Sequence, residues 1–216
     1  MKRMNRSFSK EAIKEVLLVA KRLDEKKILN AIEGNISVKR DGLVYITPSG
    51  KNKAFLTEDM IAVLDEKGNQ LGGSFPASSE MRLHLEAYGA RPDIHGVVHA
   101  HPPYLTAYAV CGLPVRTKAY PEMMSVYGSF EVAAYGRPGT DAICREVGPL
   151  LQERNVILLE NHGALAVGSD VIQAMNYMEA AEAIAEVLTI ARMVGKEKEL
   201  PKEECQALLF AHVRKP

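Results

Sequence analysis

The stretch "GVVHAHPP", residues 96–103, closes on His99 and His101 and is stopped by Pro102 and Pro103. Side chains two apart on a β-strand point the same way, so the two imidazoles face one spot. Such a pair binds a metal ion, and it serves equally as a hydrogen-bonded or surface pair; the spacing leaves both readings open. More ligands are needed to choose. His162 stands in "LLENHGA" at the end of another apolar run, where a side chain can face a cleft or simply complete the core. Glu80 opens a helical segment, where a carboxylate also complements the helix dipole. His84, four residues on, shares that face and suits a ligand, an outer partner of a ligand or a core position. Three histidines and one carboxylate suit tetrahedral Zn²⁺, whereas an all-oxygen set would indicate magnesium or calcium. Glu80, His99, His101 and His162 make a zinc site available without obliging the chain to bring them together.

Two loops and a helix start add a second chemistry. "EGN" at 33–35 and "TPSG" at 47–50 offer loop amides with amide or hydroxyl side chains, and "SSE" puts Ser78 and Ser79 at a helix N-terminus. Such places seat phosphates and other anions, and they are also ordinary turn and cap chemistry.

The elements that must position these groups can be read from periodicity. Ser9 caps an amphipathic helix carrying Ile13, Val16, Leu17 and Ala20, expected to end near Asn30. "NISVKRDGLVYITPSG" reads as two strands joined at Asp41-Gly42 and closing in the loop 47–50. A strand over 61–64 and a turn at "DEKGN" follow. "PASSEMRLHLEAYGA" is a helix with Ser78 or Ser79 as N-cap and Glu80 in its first turn, ended by Gly89 and Pro92. "IHGVVHAH" is a strand, "VILLENHGALAVG" an interrupted apolar run, and "VIQAMNYMEAAEAIAEVLTIARMV" a long helix. Hairpin links among interleaved strands and helices disfavour a parallel doubly wound sheet; a mixed or antiparallel sheet with helices on its faces fits. No GxGxxG follows a strand, so dinucleotide binding has no support.

A chain of 216 residues suits one domain, 1–216. Its 27 basic and 27 acidic residues leave no net charge to hold nucleic acid or an anionic membrane. The uncharged stretch 95–115 is too rich in histidine and proline to span a bilayer. The basic N-terminus lacks an apolar signal segment, and the 3 cysteines show no metal or redox spacing, which fits a reducing cytoplasm. Any metal ligands must then be nitrogen and oxygen.

Taken in order, "GNISV", "ITPSG", "SSEMRLHLEAY", "VVHAH" and "NHGALAVG" resemble the class II aldolase/adducin family, nearest its fuculose-1-phosphate aldolase branch. The likeness runs from about residue 10 to 195. It implies a three-layer α/β/α subunit with a mixed, mostly antiparallel central sheet, assembled as a homotetramer with its active site near a subunit interface. It implies one Zn²⁺ per chain at His99, His101 and His162, with Glu80 as the fourth ligand in the resting site and the base, and His84 behind them. It also implies that the phosphate of a ketose 1-phosphate lies at Asn35, Ser49, Gly50, Ser78 and Ser79, and that Tyr120 moves a proton on the aldehyde side. The implied reaction is reversible cleavage of L-fuculose 1-phosphate, or a similar deoxy-ketose 1-phosphate, to dihydroxyacetone phosphate and an aldehyde. One departure is Glu33, where family members often carry a small residue; near a phosphate, its carboxylate must point away or alter the substrate. The rivals are a sugar-phosphate 4-epimerase of the L-ribulose-5-phosphate type, which carries aspartate where Glu80 stands, and related dehydratases and decarboxylases. A further rival is a non-catalytic, adducin-like interaction protein, disfavoured by retention of all three histidines and Glu80.

Overall fold

The computed structural model describes the backbone of residues 8–213 and the side chains of residues 8–209. Ser9 accepts the Ala12 N–H at 3.2 Å and starts α1, Lys10–Glu25, whose Ala12, Val16, Val19, Ala20 and Leu23 are buried at helical spacing. The helix ends at Glu25 rather than near Asn30. Lys27 turns left-handed, φ 58°, and the N–H groups of Lys27 and Ile28 fold back to the carbonyls of Asp24 and Leu23 at 2.9 and 3.0 Å. Leu23 and Ile28 are both buried beside this closing turn, whose apolar residues continue the sequence pattern after the helix has stopped.

The hairpin forms as expected. β1, Asn35–Arg40, and β2, Leu43–Ile46, join through Asp41 and Gly42 at φ 53° and 71°, the pair of positive values a type I′ turn requires. β3, Ala62–Asp65, and a short edge strand β4, Gln70–Gly72, extend it. Next comes α2, Met81–Ala90, and here the capping expectation fails: the N-cap is Glu80, not Ser78 or Ser79. The Ser78 carbonyl takes the Met81 N–H at 3.1 Å and its hydroxyl accepts the Glu80 N–H at 3.3 Å. The serines thus build the turn before the helix, and the Glu80 carboxylate makes no capping bond.

β5, Gly96–Ala100, leads into α3, Pro103–Val110, a helix that the two prolines concealed. Proline suits the first helical position, yet Pro102 offers no side-chain cap. The orphan N–H groups of Tyr104 and Leu105 instead donate to the Glu182 carboxylate, each at 2.9 Å. The remaining elements are β6, Glu131–Ala133, α4, Val147–Leu151, β7, Val156–Leu159, β8, Gly163–Gly168, α5, Val171–Val194, which carries Glu182, and α6, Lys202–Val213.

The strands form one eight-stranded sheet in the order β4-β3-β2-β1-β5-β8-β7-β6. All neighbours are antiparallel except β6 and β7. Alternation splits the sheet into two cores: Ile36, Val38, Val98 and Ala166 pack under α1, α3 and α5, while Val97, Leu165 and Val167 pack under α2 and α4. The layers are therefore α/β/α, as the spacing and the resemblance led one to expect. Among the described residues no helix is long and apolar enough to cross a membrane.

Candidate metal centre

His99 lies on β5 between Asn35 of β1 and Leu165 of β8, and shares its parity with Val97 on the α2 face. His101 follows the strand, and His162 sits in the turn between β7 and β8, just before Gly163. A Cβ on Gly163 would lie 2.5 Å from the His101 ring and 2.6 Å from the Ala100 carbonyl oxygen, so only glycine lets the two loops approach this closely. The three rings stand 4.7 to 4.9 Å apart, and their ligand atoms all fall within 4.8 Å of one another. Glu80, from the start of α2, completes the group: Oε2 is 3.4 Å from His99 Nε2 and Oε1 is 3.2 Å from His162 Nε2.

The hydrogen bonds behind the rings show which nitrogens face inward with lone pairs. His99 Nδ1 lies 2.9 Å from the Ala164 carbonyl, which can only accept, so Nδ1 carries a proton. His101 Nδ1 likewise meets the Glu33 carboxylate at 3.1 Å. The two Nε2 atoms are left facing each other at 3.1 Å, beside a Glu80 Oε1 that is buried without a hydrogen-bond partner among the described residues. Acceptors pointed at one another require a positive charge between them, either a shared proton or a metal ion. Burial, with the neighbouring His99, pushes His162 down to about 4, and the same two causes lower His101 against the opposing pull of Glu33. Both shifts favour the neutral form of the ring, the form a metal ion requires. For Glu80 burial favours the protonated form, but with the shared positive charge placed on His99, its hydrogen bonding and charge, with His162 and Asn35, outweigh burial and hold the carboxyl well below its usual range. Three imidazoles and an ionised carboxylate fit a divalent ion such as Zn²⁺.

A buried polar chain orients Glu80. Asn35 Nδ2 donates to Glu80 Oε2 at 2.9 Å, and its Oδ1 accepts from His84 Nε2 at 2.5 Å. His84 Nδ1 in turn lies 2.6 Å from the Ser37 hydroxyl, itself 2.9 Å from the Tyr88 hydroxyl. Burial lowers His84 to about 3, so it is a neutral ring that accepts from Ser37 and donates to Asn35. His84 thus stands behind the cluster, as expected. Asn35, 3 % exposed, thus has its amide oxygen engaged by His84 and one amide hydrogen by Glu80, which leaves its second amide hydrogen free for a ligand. The parities were legible: Asn35 and Ser37 share a strand face, and Glu80, His84 and Tyr88 recur every four residues on α2. That the two stripes meet was not.

The other small-residue segments do come together. Pro48 and Ala77 form a β-bridge, and the Ser78 N–H donates to the Thr47 carbonyl at 3.2 Å. Ser49, Gly50 and Ser79 are exposed beside each other's loops, and Ser78 is buried next to Glu80. The Ser49 N–H is engaged by the Pro76 carbonyl at 3.0 Å, leaving its hydroxyl as the open donor. Tyr120 is elsewhere. It packs on the α1, α3 and α5 core, and its carbonyl takes the Met123 N–H at 3.1 Å, at the head of a π-helical turn, Met123–Tyr127. That turn shares a cavity with Arg154, Asn155 and Val156 at the start of β7, whereas His162 follows the far end of that strand.

Comparison with known proteins agrees with this architecture. Residues 14–189 match the profile of the class II aldolase and adducin N-terminal domain. A Methanococcus vannielii L-fuculose phosphate aldolase is 33% identical over 185 residues, covering 85% of this chain and 99% of the relative. A Haemophilus influenzae 3-oxo-tetronate 4-phosphate decarboxylase is 34% identical over 159 residues, covering 71% of this chain and 75% of the relative. A solved structure of an L-fuculose 1-phosphate aldolase superposes with a TM-score of 0.86 at 30% identity, covering 94% of this chain and 96% of the other. With its fold, its histidine cluster and a profile match over most of its length, the chain belongs to the class II aldolase and adducin family.

Proposed function

We propose that this chain is a zinc-dependent aldolase that cleaves a ketose 1-phosphate, L-fuculose 1-phosphate or a similar deoxy sugar, to dihydroxyacetone phosphate and an aldehyde. What carries this reading is the convergence of His99, His101, His162 and Glu80 beside the bridged loops of Ser49 and Ser78. A divalent ion held by the histidines supplies Lewis acidity to the oxygens next to the bond that breaks. The hydroxyls of Ser49, Ser78 and Ser79 and the backbone at Gly50 hold the phosphate, with Asn35 contributing its remaining amide hydrogen. Glu80 would help the three histidines hold the ion and, when released by substrate, would act as the base. In the synthetic direction it removes a proton from the hydroxymethyl carbon of dihydroxyacetone phosphate. Tyr120 gives a proton to the oxygen of the incoming aldehyde, and cleavage runs both transfers in reverse.

The family resemblance supports a homotetramer in the cytoplasm with its active site near a subunit interface, where Tyr120 of a neighbouring copy would reach the site. Tyr120→Phe is expected to lower turnover by roughly 10²-fold or more, the scale of a lost proton transfer, with metal content unchanged. Unaltered turnover would return Tyr120 to a packing role. The Haemophilus relative favours a second reading, decarboxylation of a phosphorylated 3-oxo acid, which also leaves a carbanion beside a carbonyl. A substrate screen separates the two. L-fuculose 1-phosphate, L-rhamnulose 1-phosphate and 5-deoxyribulose 1-phosphate are tested for release of dihydroxyacetone phosphate, the oxo-acid phosphate for carbon dioxide, and L-ribulose 5-phosphate for epimerisation. Release of dihydroxyacetone phosphate from none of the first three, with turnover of either other substrate, overturns the aldolase reading.

A further inference from the structure

The three histidines differ in what stands behind them. His99 Nδ1 leans on a neutral backbone carbonyl, that of Ala164, at 2.9 Å. His162 Nδ1 is buried with no hydrogen-bond partner among the described residues. Only His101 has a carboxylate behind it, Glu33 Oε2 at 3.1 Å from Nδ1.

Glu33 is held in place by its surroundings. Its N–H donates to the Asn30 carbonyl at 2.6 Å, and its Oε2 also receives the Asn30 side-chain amide at 3.4 Å. Lys53, 3 % exposed, donates through Nζ to the carbonyls of Ile32 and Lys51 at 2.7 and 2.9 Å, which ties the turn down from the far side. Burial lowers the Lys53 ammonium to about 8 against the pull of Glu80 and Glu33. Gly34, φ 73°, then brings the backbone so close to β5 that a Cβ there would lie 2.8 Å from the His99 carbonyl oxygen. The turn carrying Glu33 therefore sits directly on the strand end that carries the ligands.

We propose that Glu33 is a positioning residue for the metal centre: it takes the Nδ1 proton of His101, fixes that ring's tautomer and orientation, and strengthens Nε2 as a donor to the metal. This rests on the reading of the histidines as a metal centre. A carboxylate behind a ligating imidazole raises its basicity, and losing such a partner weakens metal binding by about 10- to 100-fold. The arrangement also accounts for a carboxylate close to the phosphate loops, because its charge is directed to His101 rather than to the substrate.

The test measures metal affinity without turnover. Metal-stripped protein, wild type and the Glu33→Gln, Glu33→Ala and His99→Ala variants, is titrated with Zn²⁺ against a chelating indicator and with Co²⁺ by absorption. Glu33→Gln is expected to bind about tenfold more weakly and Glu33→Ala up to about 100-fold more weakly, at unchanged stoichiometry and with a shifted Co²⁺ spectrum. Wild-type affinity in both Glu33 variants, with His99→Ala impaired, overturns the role of Glu33 and leaves the metal centre standing. If Glu33 acts on the substrate instead, Glu33→Gln keeps its metal affinity and inorganic phosphate inhibits it more strongly, which also refutes the proposal. Equal binding by wild type and His99→Ala would remove the metal centre and this role together. Glu33 is half exposed, so Glu33→Gln keeps the fold even where Glu33→Ala does not.

Discussion

Metal removal is expected to abolish turnover, and about one equivalent of Zn²⁺ per chain is expected to restore it. The reason is electrostatic. Nε2 of His99 and Nε2 of His101 face each other at 3.1 Å with their protons on the opposite nitrogens, and Glu80 presents two oxygens to the same space. Without a cation, a proton must hold the cluster together, and a proton cannot polarise the substrate as a divalent ion does. Metal bound only by the folded chain also stabilises it: at a thousand times the dissociation constant the gain is about 4 kcal/mol, or roughly 10 °C in melting temperature for a chain of this size. Dialysis against chelator, metal analysis and thermal melts with and without added Zn²⁺ check both parts. Metal-free protein that still cleaves substrate at the full rate would refute the mechanism.

The second large effect is expected at Glu80→Gln, with turnover falling by about 10²- to 10⁴-fold. Glutamine keeps the volume and can still accept the Asn35 amide, so the chain from Tyr88 to Asn35 stays in place. It loses the charge and the basicity that the two proposed roles of Glu80 require. The fold is expected to survive, because Glu80 caps α2 through its backbone position and makes no side-chain cap bond that glutamine would forfeit. Steady-state kinetics, metal content and a thermal melt on one preparation separate these effects. Full turnover in Glu80→Gln would exclude it as the base. Retained metal with lost turnover would assign Glu80 chiefly to proton transfer.

Much of the scaffold was legible because its signals are local. Ser9 beside the apolar stripe of α1, the Asp41-Gly42 turn and the apolar run of α5 each act within a few residues, so they can be read without knowing what packs on them. The misses involve distant partners or turns that imitate their neighbours. α3 was hidden because its cap comes from Glu182, 78 residues after Tyr104. The end of α1 was overrun because the closing turn buries Ile28 and Leu29 as if the helix continued. The cap of α2 was misplaced because serine is a good cap, yet here Ser78 folds back on Glu80 and Met81.

The same division runs through the site. Sequence by itself determined the identity of the donors, the shared direction of His99 and His101 from the period of two, and, through family resemblance, the company of Glu80 and His162. Tertiary structure decided their convergence, because antiparallel register sets Asn35 and Leu165 beside His99, and β7 turns into β8 so that His162 arrives at the same end of the paired strands. It also decided the partners behind the ligands: Asn35 holds Glu80 across 45 residues, and Glu33 meets His101 across 68. Hydrogen bonds of that range depend on how the layers pack, which no local spacing encodes, whereas side-chain direction along a strand depends only on the backbone's own repeat.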